Sequence, residues 1–167
     1  MKTTIEGKII VLGNNIDTDQ IYPGRYLELT DPVEIGKHCL EGVDKNIGKN
    51  FPKGGIVVAG TNYGCGSSRE HAVITMLHMG ASAVIADSFA RIFYRNAVNL
   101  SLVPVICKGI SQHVKDGDDL KIDLDKGVVK DLTTGEEFKS EKITGQPLKI
   151  LDAGGIKPYM RHKLGVD

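Results

Sequence analysis

Residues 56–59, Ile-Val-Val-Ala, are apolar without interruption and run straight into a glycine-rich loop, Gly60-Thr61-Asn62-Tyr63-Gly64-Cys65-Gly66. An apolar run with no polar alternation reads as a strand buried on both faces, which implies parallel neighbours and covering helices. Residues 69–79 follow as a helix with Ala72, Val73, Met76 and Leu77 on one face and Gly80 at its end. The pattern then recurs. Residues 83–86 read as a second buried strand, Asp87 or Ser88 as the cap of a helix over 89–99, and residues 102–107 as a third apolar strand. Alternation of this kind predicts parallel pairing with crossover helices.

The flanking segments differ in character. Residues 8–12 form a β-branched run that ends at Gly13, and residues 14–24 read as a loop. Asp31-Pro32 is a helix start with proline at the first helical position, so residues 33–40 read as a short helix closed by Gly42. Residues 43–55 are polar and read as an exposed loop. In the last third, residues 120–124, 128–132 and 136–143 alternate apolar and polar, with turns at Asp125-Lys126-Gly127 and Thr134-Gly135. This predicts an antiparallel β-meander, followed by a short basic helix over 158–164. The expected fold is α/β, a mixed sheet with βαβ crossovers and an appended β-layer, in a single domain over residues 1–167.

Charge excludes several function classes. Lys+Arg and Asp+Glu both number 21 and aromatics are 5% of the chain, so neither a nucleic-acid surface nor a membrane surface is expected. No apolar run reaches bilayer length, and residues 1–6 hold no apolar signal core, which points to the cytoplasm. The three cysteines, at 39, 65 and 107, are far apart and form no C-x-x-C pair. Their spacing predicts no zinc site, no disulfide framework and no iron–sulfur cluster held by this chain alone.

The chemistry concentrates at residues 60–72, where glycines, adjacent hydroxyls and a cation precede a helix. Ser67, three residues before Glu70, reads as a capping box. A helix opening there would aim free N–H groups and its positive dipole end at Ser67. Arg69 adds a planar fork suited to a carboxylate. Two readings stand side by side at this point: a loop with a cap, and an anion-binding turn with a reactive hydroxyl. The loop is not a P-loop, since no Gly-Lys-Ser/Thr follows, and it is not a Gly-x-Ser-x-Gly nucleophile elbow. A stand-alone serine hydrolase would need a base for Ser67, and no His/Asp pair is suggestively placed. A non-catalytic anion-binding or RNA-binding module is disfavoured by the zero net charge.

The stretch Gly-x-Asn-Tyr-Gly-x-Gly-Ser-Ser-Arg-Glu-His-Ala (60–72), with Ser-Phe-Ala-Arg-Ile (88–92) and Phe-Tyr-Arg-Asn (93–96), resembles the swivelling C-terminal domain of aconitases. Asp-Thr-Asp-Gln-Ile-Tyr-Pro-Gly-Arg-Tyr-Leu (17–27) resembles the small subunits of the isopropylmalate dehydratases within that superfamily. The resemblance implies a three-layer β/β/α fold. It also implies reversible dehydration and rehydration of a small hydroxy-dicarboxylate, in leucine biosynthesis. It implies a large iron–sulfur subunit as partner, carrying the [4Fe–4S] cluster, with none bound by this chain. By the same resemblance Ser67 is the base, Asp19 is a catalytic aspartate, Ser68 and Arg69 bind a substrate carboxylate, and Thr18 also contacts the substrate.

For Asp17 an Asx-turn and a functional role are equally open. His71 reads as structural, Arg91 and Arg95 as helix-surface cations that resemble family site-supporting residues, and Cys65 as a neutral substitution. The segment Tyr26-Leu27-Glu28-Leu29-Thr30 corresponds to one that contacts the variable end of the substrate in relatives. Homoaconitases tend to place an arginine where Glu28 stands. Glu28 would repel a distal carboxylate, and Leu27 and Leu29 suit an isopropyl group. Arg25, a cation just before the segment, complicates that reading, and homoaconitase-type or dimethylmalate-type dehydratases remain the alternatives.

Overall fold

The computed structural model describes residues 3–166. The strands are β1 (Thr4–Val11), β2 (Ile56–Ala59), β3 (Ala83–Ala86), β4 (Val103–Ile106), β5 (Asp119–Asp123), β6 (Val128–Asp131) and β7 (Glu137–Lys139). The helices are α1 (Thr18–Ile21), α2 (Pro32–Lys37), α3 (Ile47–Asn50), α4 (His71–Met79), α5 (Arg91–Asn99), α6 (Gly145–Ala153) and α7 (Ile156–Lys163). All seven strands form one sheet in the order β4-β3-β2-β1-β5-β6-β7. β4 to β1 pair in parallel, and β5, β6 and β7 continue antiparallel.

β1 belongs to both halves of this sheet. Its first part, from Thr4 to Lys8, pairs antiparallel with β5, while Ile9, Ile10 and Val11 pair in parallel with Ile56, Val57 and Val58. The sheet can therefore fold over itself, and two cores result. Val57, Ala59, Val84 and Ala86 pack with Val73 and Met76 of α4 and Phe93 of α5. Ile56, Val58, Ile85 and Val105 pack from the opposite face with Leu120, Ile122 and Val129 of the meander and Ile150 and Leu151 of α6. Helices, parallel strands and antiparallel strands thus stack as three layers, the β/β/α arrangement expected from the resemblance. Every residue of β2 and β3 is buried, as strands covered on both faces require. β5 alternates, with only Leu120 and Ile122 buried. Pro104 is tolerated because β4 lies at the sheet edge.

Several local expectations need correction. α4 begins at His71, not at residue 69, and its N-cap position is Glu70, with no side-chain cap. Ser67 forms no capping box, because its hydroxyl is engaged across the chain instead. Asp87 and Ser88 do not cap α5, whose N-cap position is Ala90. Asp87 accepts the Gly109 N–H at 3.0 Å, and Ser88 Oγ accepts the Asn62 N–H at 2.8 Å. The loop over 14–24 contains α1, where Asp17 and Gln20 form the capping box that was expected at Ser67. The polar stretch 43–55 contains α3. The start of α2 agrees with expectation: Asp31 accepts the Val33 N–H with Pro32 at the first helical position. α2 closes at His38, not at Gly42.

Candidate active site

The loops that leave the carboxyl ends of β1 and β2 run side by side, and backbone pairing continues beyond the strands. Gly60 N–H donates to Gly13 O at 3.1 Å, Asn15 N–H to Thr61 O at 2.8 Å, Gly64 N–H to Ile16 O at 2.8 Å and Thr18 N–H to Cys65 O at 2.7 Å. On the other flank Tyr63 N–H donates to Ser88 O and Ala90 N–H to Tyr63 O, each at 3.0 Å. The glycine loop is therefore held between the loops that follow β1 and β3. Gly64 is required where it stands: its φ is +82°, and a Cβ there would lie 2.2 Å from the Phe93 ring.

This pairing ends at Ser67. Its N–H donates to Thr18 Oγ1 at 3.0 Å, and its Oγ lies 3.1 Å from that same oxygen. Arg69 Nε–H donates to Ser67 Oγ at 2.9 Å. A terminal guanidinium nitrogen of Arg69 lies 3.9 Å from Asp19 Oδ1, which also accepts the Gly24 N–H at 3.1 Å. Ser67, Thr18, Arg69 and Asp19 thus form one connected group from segments 49 residues apart. Ser67 and Ser68 are exposed, while Arg69 is half-buried. The group presents its hydroxyl and cation at an open rim. Ser68 is exposed and is anchored through its carbonyl, which accepts from Asn96 Nδ2 on α5 at 3.1 Å.

One expectation changes in detail. With α4 starting at His71, the cation nearest Ser67 Oγ is the Arg69 side chain, so the local charge complement comes from the guanidinium and not from the helix end. His71 stacks on Tyr22, with ring centroids 6.3 Å apart, in line with a structural role. Leu27, Glu28 and Leu29 follow a tight 3-10 turn, Gly24–Tyr26, whose first residue sits against Arg69 and Asp19. Among the described residues no hydrogen bond or ion pair joins these three side chains to Ser67.

Behind the turn lies a group that sequence reasoning did not find. Arg25 donates to Glu41 Oε1 at 3.0 Å, the Tyr26 hydroxyl bonds the same oxygen, and His38 Nδ1 bonds Glu41 Oε2. Tyr26 stacks on His38 at 3.8 Å between centroids. Burial opposes charge on Glu41, but the bonds from Tyr26, His38 and Arg25 outweigh it and hold the carboxyl down at about 2. The only sequence signal for this group was the basic residue before Tyr26.

The cysteines do not make a cluster site. Cys39 lies in the core on the helical side of the sheet and Cys107 in the core on the other side, while Cys65 is in the glycine loop. Burial pushes the Cys39 thiol up to about 12 and the Cys107 thiol to about 11, away from the thiolate form that binds iron. Among the described residues no group of three or more His, Cys, Asp or Glu could hold a metal ion. The described residues do not fit a [4Fe–4S] cluster.

Residues 49–109 match the family model described as the aconitase C-terminal domain. The chain is 48% identical to the isopropylmalate/citramalate isomerase small subunit of Methanocaldococcus jannaschii, over 98% of each chain. It is 46% identical to the methanogen homoaconitase small subunit of the same organism, over 95% of this chain and 92% of the relative. The solved structure of 3-isopropylmalate dehydratase from that organism superposes with a TM-score of 0.92 at 45% identity, covering 96% of this chain and 95% of the other. The chain belongs to the family of 3-isopropylmalate dehydratase small subunits, within the aconitase superfamily.

Proposed function

We propose that this chain is the small subunit of a two-chain hydro-lyase that interconverts 2-isopropylmalate and 3-isopropylmalate, with Ser67 as the proton-accepting group. The observation that carries this reading is the Ser67 hydroxyl held at 2.9 Å by Arg69 Nε–H on an exposed rim. In the dehydration direction the C–H proton next to a carboxylate passes to Ser67 Oγ. Its electron pair forms the carbon–carbon double bond, and the hydroxyl leaves from the neighbouring carbon. Serine at its ordinary acidity is too weak a base, and an adjacent cation in a site closed to water makes the alkoxide accessible. The Nη1 group of Arg69, with the Ser68 hydroxyl, is suited to hold a substrate carboxylate. Asp19 holds Arg69 through Nη2.

Departure of the hydroxyl is the task that the resemblance assigns to the [4Fe–4S] cluster of the large subunit. The exposure of Ser67 and Ser68 supports a site completed by that second chain. The three free thiols suit a reducing compartment, in keeping with the cytoplasm. For the substrate, the ion pair between Arg25 and Glu41 supports the isopropylmalate reading, because it occupies the cation that would otherwise attract a distal carboxylate. The homoaconitase reading keeps its support from the 46% identity to such a small subunit.

The test is anaerobic mixing of this chain with its cluster-loaded large subunit. Dehydration of isopropylmalate is followed by the absorbance of the unsaturated product, with homocitrate, citramalate and dimethylmalate beside it. Activity in the mixture alone, highest on isopropylmalate, is the expected result. Preference for homocitrate would overturn the substrate assignment, and inactivity on all four acids in a formed complex would overturn the reaction.

A further inference from the structure

Thr18 was expected to touch the substrate, yet the residue is only 5% exposed and its hydroxyl is committed within the chain. A threonine hydroxyl has one hydrogen and two lone pairs. One lone pair of Thr18 Oγ1 takes the Ser67 N–H at 3.0 Å. The oxygen 3.1 Å away is Ser67 Oγ, the sole side-chain partner of this hydroxyl among the described residues. While Ser67 is neutral, either hydroxyl can donate to the other. Once Ser67 has lost its proton only one direction remains, from Thr18 to Ser67. In that state two donors converge on Ser67 Oγ: the Thr18 hydroxyl at 3.1 Å and Arg69 Nε–H at 2.9 Å. A third lone pair stays open for the substrate proton.

We propose that Thr18 is a positioning residue for the base: it donates its hydroxyl hydrogen to deprotonated Ser67 Oγ while its own oxygen fixes the Ser67 backbone. The inference rests on the reading of Ser67 as the base. Thr18 keeps its own proton throughout, and the proton taken from the substrate carbon resides on Ser67. The local fold is arranged for this contact. Thr18 opens α1, whose capping box fixes its backbone through Asp17 and Gln20, and its N–H is bound to Cys65 O. Gly66, at φ +107°, lets the glycine loop pass close by, and a Cβ there would lie 3.0 Å from Thr18 Oγ1. Sequence spacing gives no sign of this pair, because it joins two loops through a sheet register.

The test uses the assembled two-chain enzyme, with Thr18→Val, Thr18→Ser and Thr18→Ala in the small subunit and Ser67→Ala in parallel. Removing one donor to a developing oxyanion costs about 100- to 1,000-fold in kcat. That loss is expected for Val and Ala, with KM for isopropylmalate within about twofold, in line with an interaction absent from the ground state. The kcat of Thr18→Val should keep rising with pH where the unaltered enzyme levels off, because its base form is harder to reach. Thr18→Ser, which restores the hydroxyl, should recover kcat to within about threefold. The Ala variant provides a second hydroxyl-free side chain should the branched one disturb assembly, which gel filtration of the complex reports. Full kcat without the hydroxyl would overturn the proposal. So would a Ser variant as impaired as Val, or a loss confined to KM. An active Ser67→Ala enzyme would instead overturn the assignment of the base itself.

Discussion

Gly64 and Gly135 provide a matched pair for separating backbone strain from steric conflict. Their φ angles are +82° and +83°, but a Cβ at Gly64 would lie 2.2 Å from the Phe93 ring, while a Cβ at Gly135 meets nothing within 4 Å. Phe93 has little freedom to yield, since it is 2% exposed, edge-on to Tyr63 at 5.1 Å and stacked with Phe89 at 6.0 Å. Gly135→Ala should therefore cost only the left-handed strain, about 1–2 kcal/mol. Gly64→Ala should add an overpacking cost of about 1–3 kcal/mol, for a sum of about 2–5 kcal/mol. At roughly 3 °C per kcal/mol for a chain of this size, Tm should fall by about 4 °C for Gly135→Ala and about 10 °C for Gly64→Ala. Differential scanning calorimetry of the isolated chain measures both. Gly64 also donates to Ile16 O in the pairing that leads to Ser67, so its variant should lose activity in the complex even below its Tm. Equal drops in Tm for the two variants would refute the reasoning, because Phe93 would then have moved aside without cost.

Three further outcomes follow from charged groups. Glu41 is held at about 2 against an ordinary value of 4.5, so its stabilisation is fully present above 4.5 and is lost as pH falls through about 2. Glu41→Gln should cost on the order of 2 kcal/mol at neutral pH, and urea unfolding should show the gap to the unaltered chain closing between pH 4.5 and 2. Asp131 behaves oppositely: burial and the neighbouring Asp118 carboxylate push its carboxyl up, and its Oδ2 has no hydrogen-bond partner. Stability from this group is present below its unfolded value and lost as pH rises through the raised folded value. Asp131→Asn, which keeps the acceptor used by Thr133 and gains a donor toward Asp118, should raise Tm at pH 8 more than at pH 4; thermal melts at the two pH values decide it. Glu28→Arg should shift the ratio of kcat/KM from isopropylmalate toward homocitrate in the assembled enzyme, and an unchanged ratio would show that residues 27–29 do not select the substrate.

The parallel half of the sheet was legible because β2 and β3 are apolar at every position, a pattern with few other homes. The meander was legible from the alternation around Leu120 and Ile122 and from its glycine turns. The helix α6 was not, since it begins at a glycine with φ +67° and carries Pro147 in its first turn, where proline is tolerated but signals a break when read alone. The chemical group was half legible. Residues 67–69 stood out as a motif, but their local reading as a cap failed because Thr18 satisfies the Ser67 N–H from a different segment. In the clasp on Glu41 the His38 contact is local, three residues away, but Arg25 and Tyr26 arrive from 16 and 15 residues away through tertiary structure, and no spacing along the chain announces them.

The central claim is that Ser67 of this chain removes the substrate proton within a complex built with a large subunit. The direct measurement is single-turnover dehydration of isopropylmalate by the assembled complex, with unaltered chain and with Ser67→Ala, after substrate binding to both has been measured by calorimetry. The account predicts that the variant folds, assembles and binds isopropylmalate, yet forms no unsaturated product on the timescale of the unaltered enzyme. Product formation at a comparable rate by Ser67→Ala would contradict it.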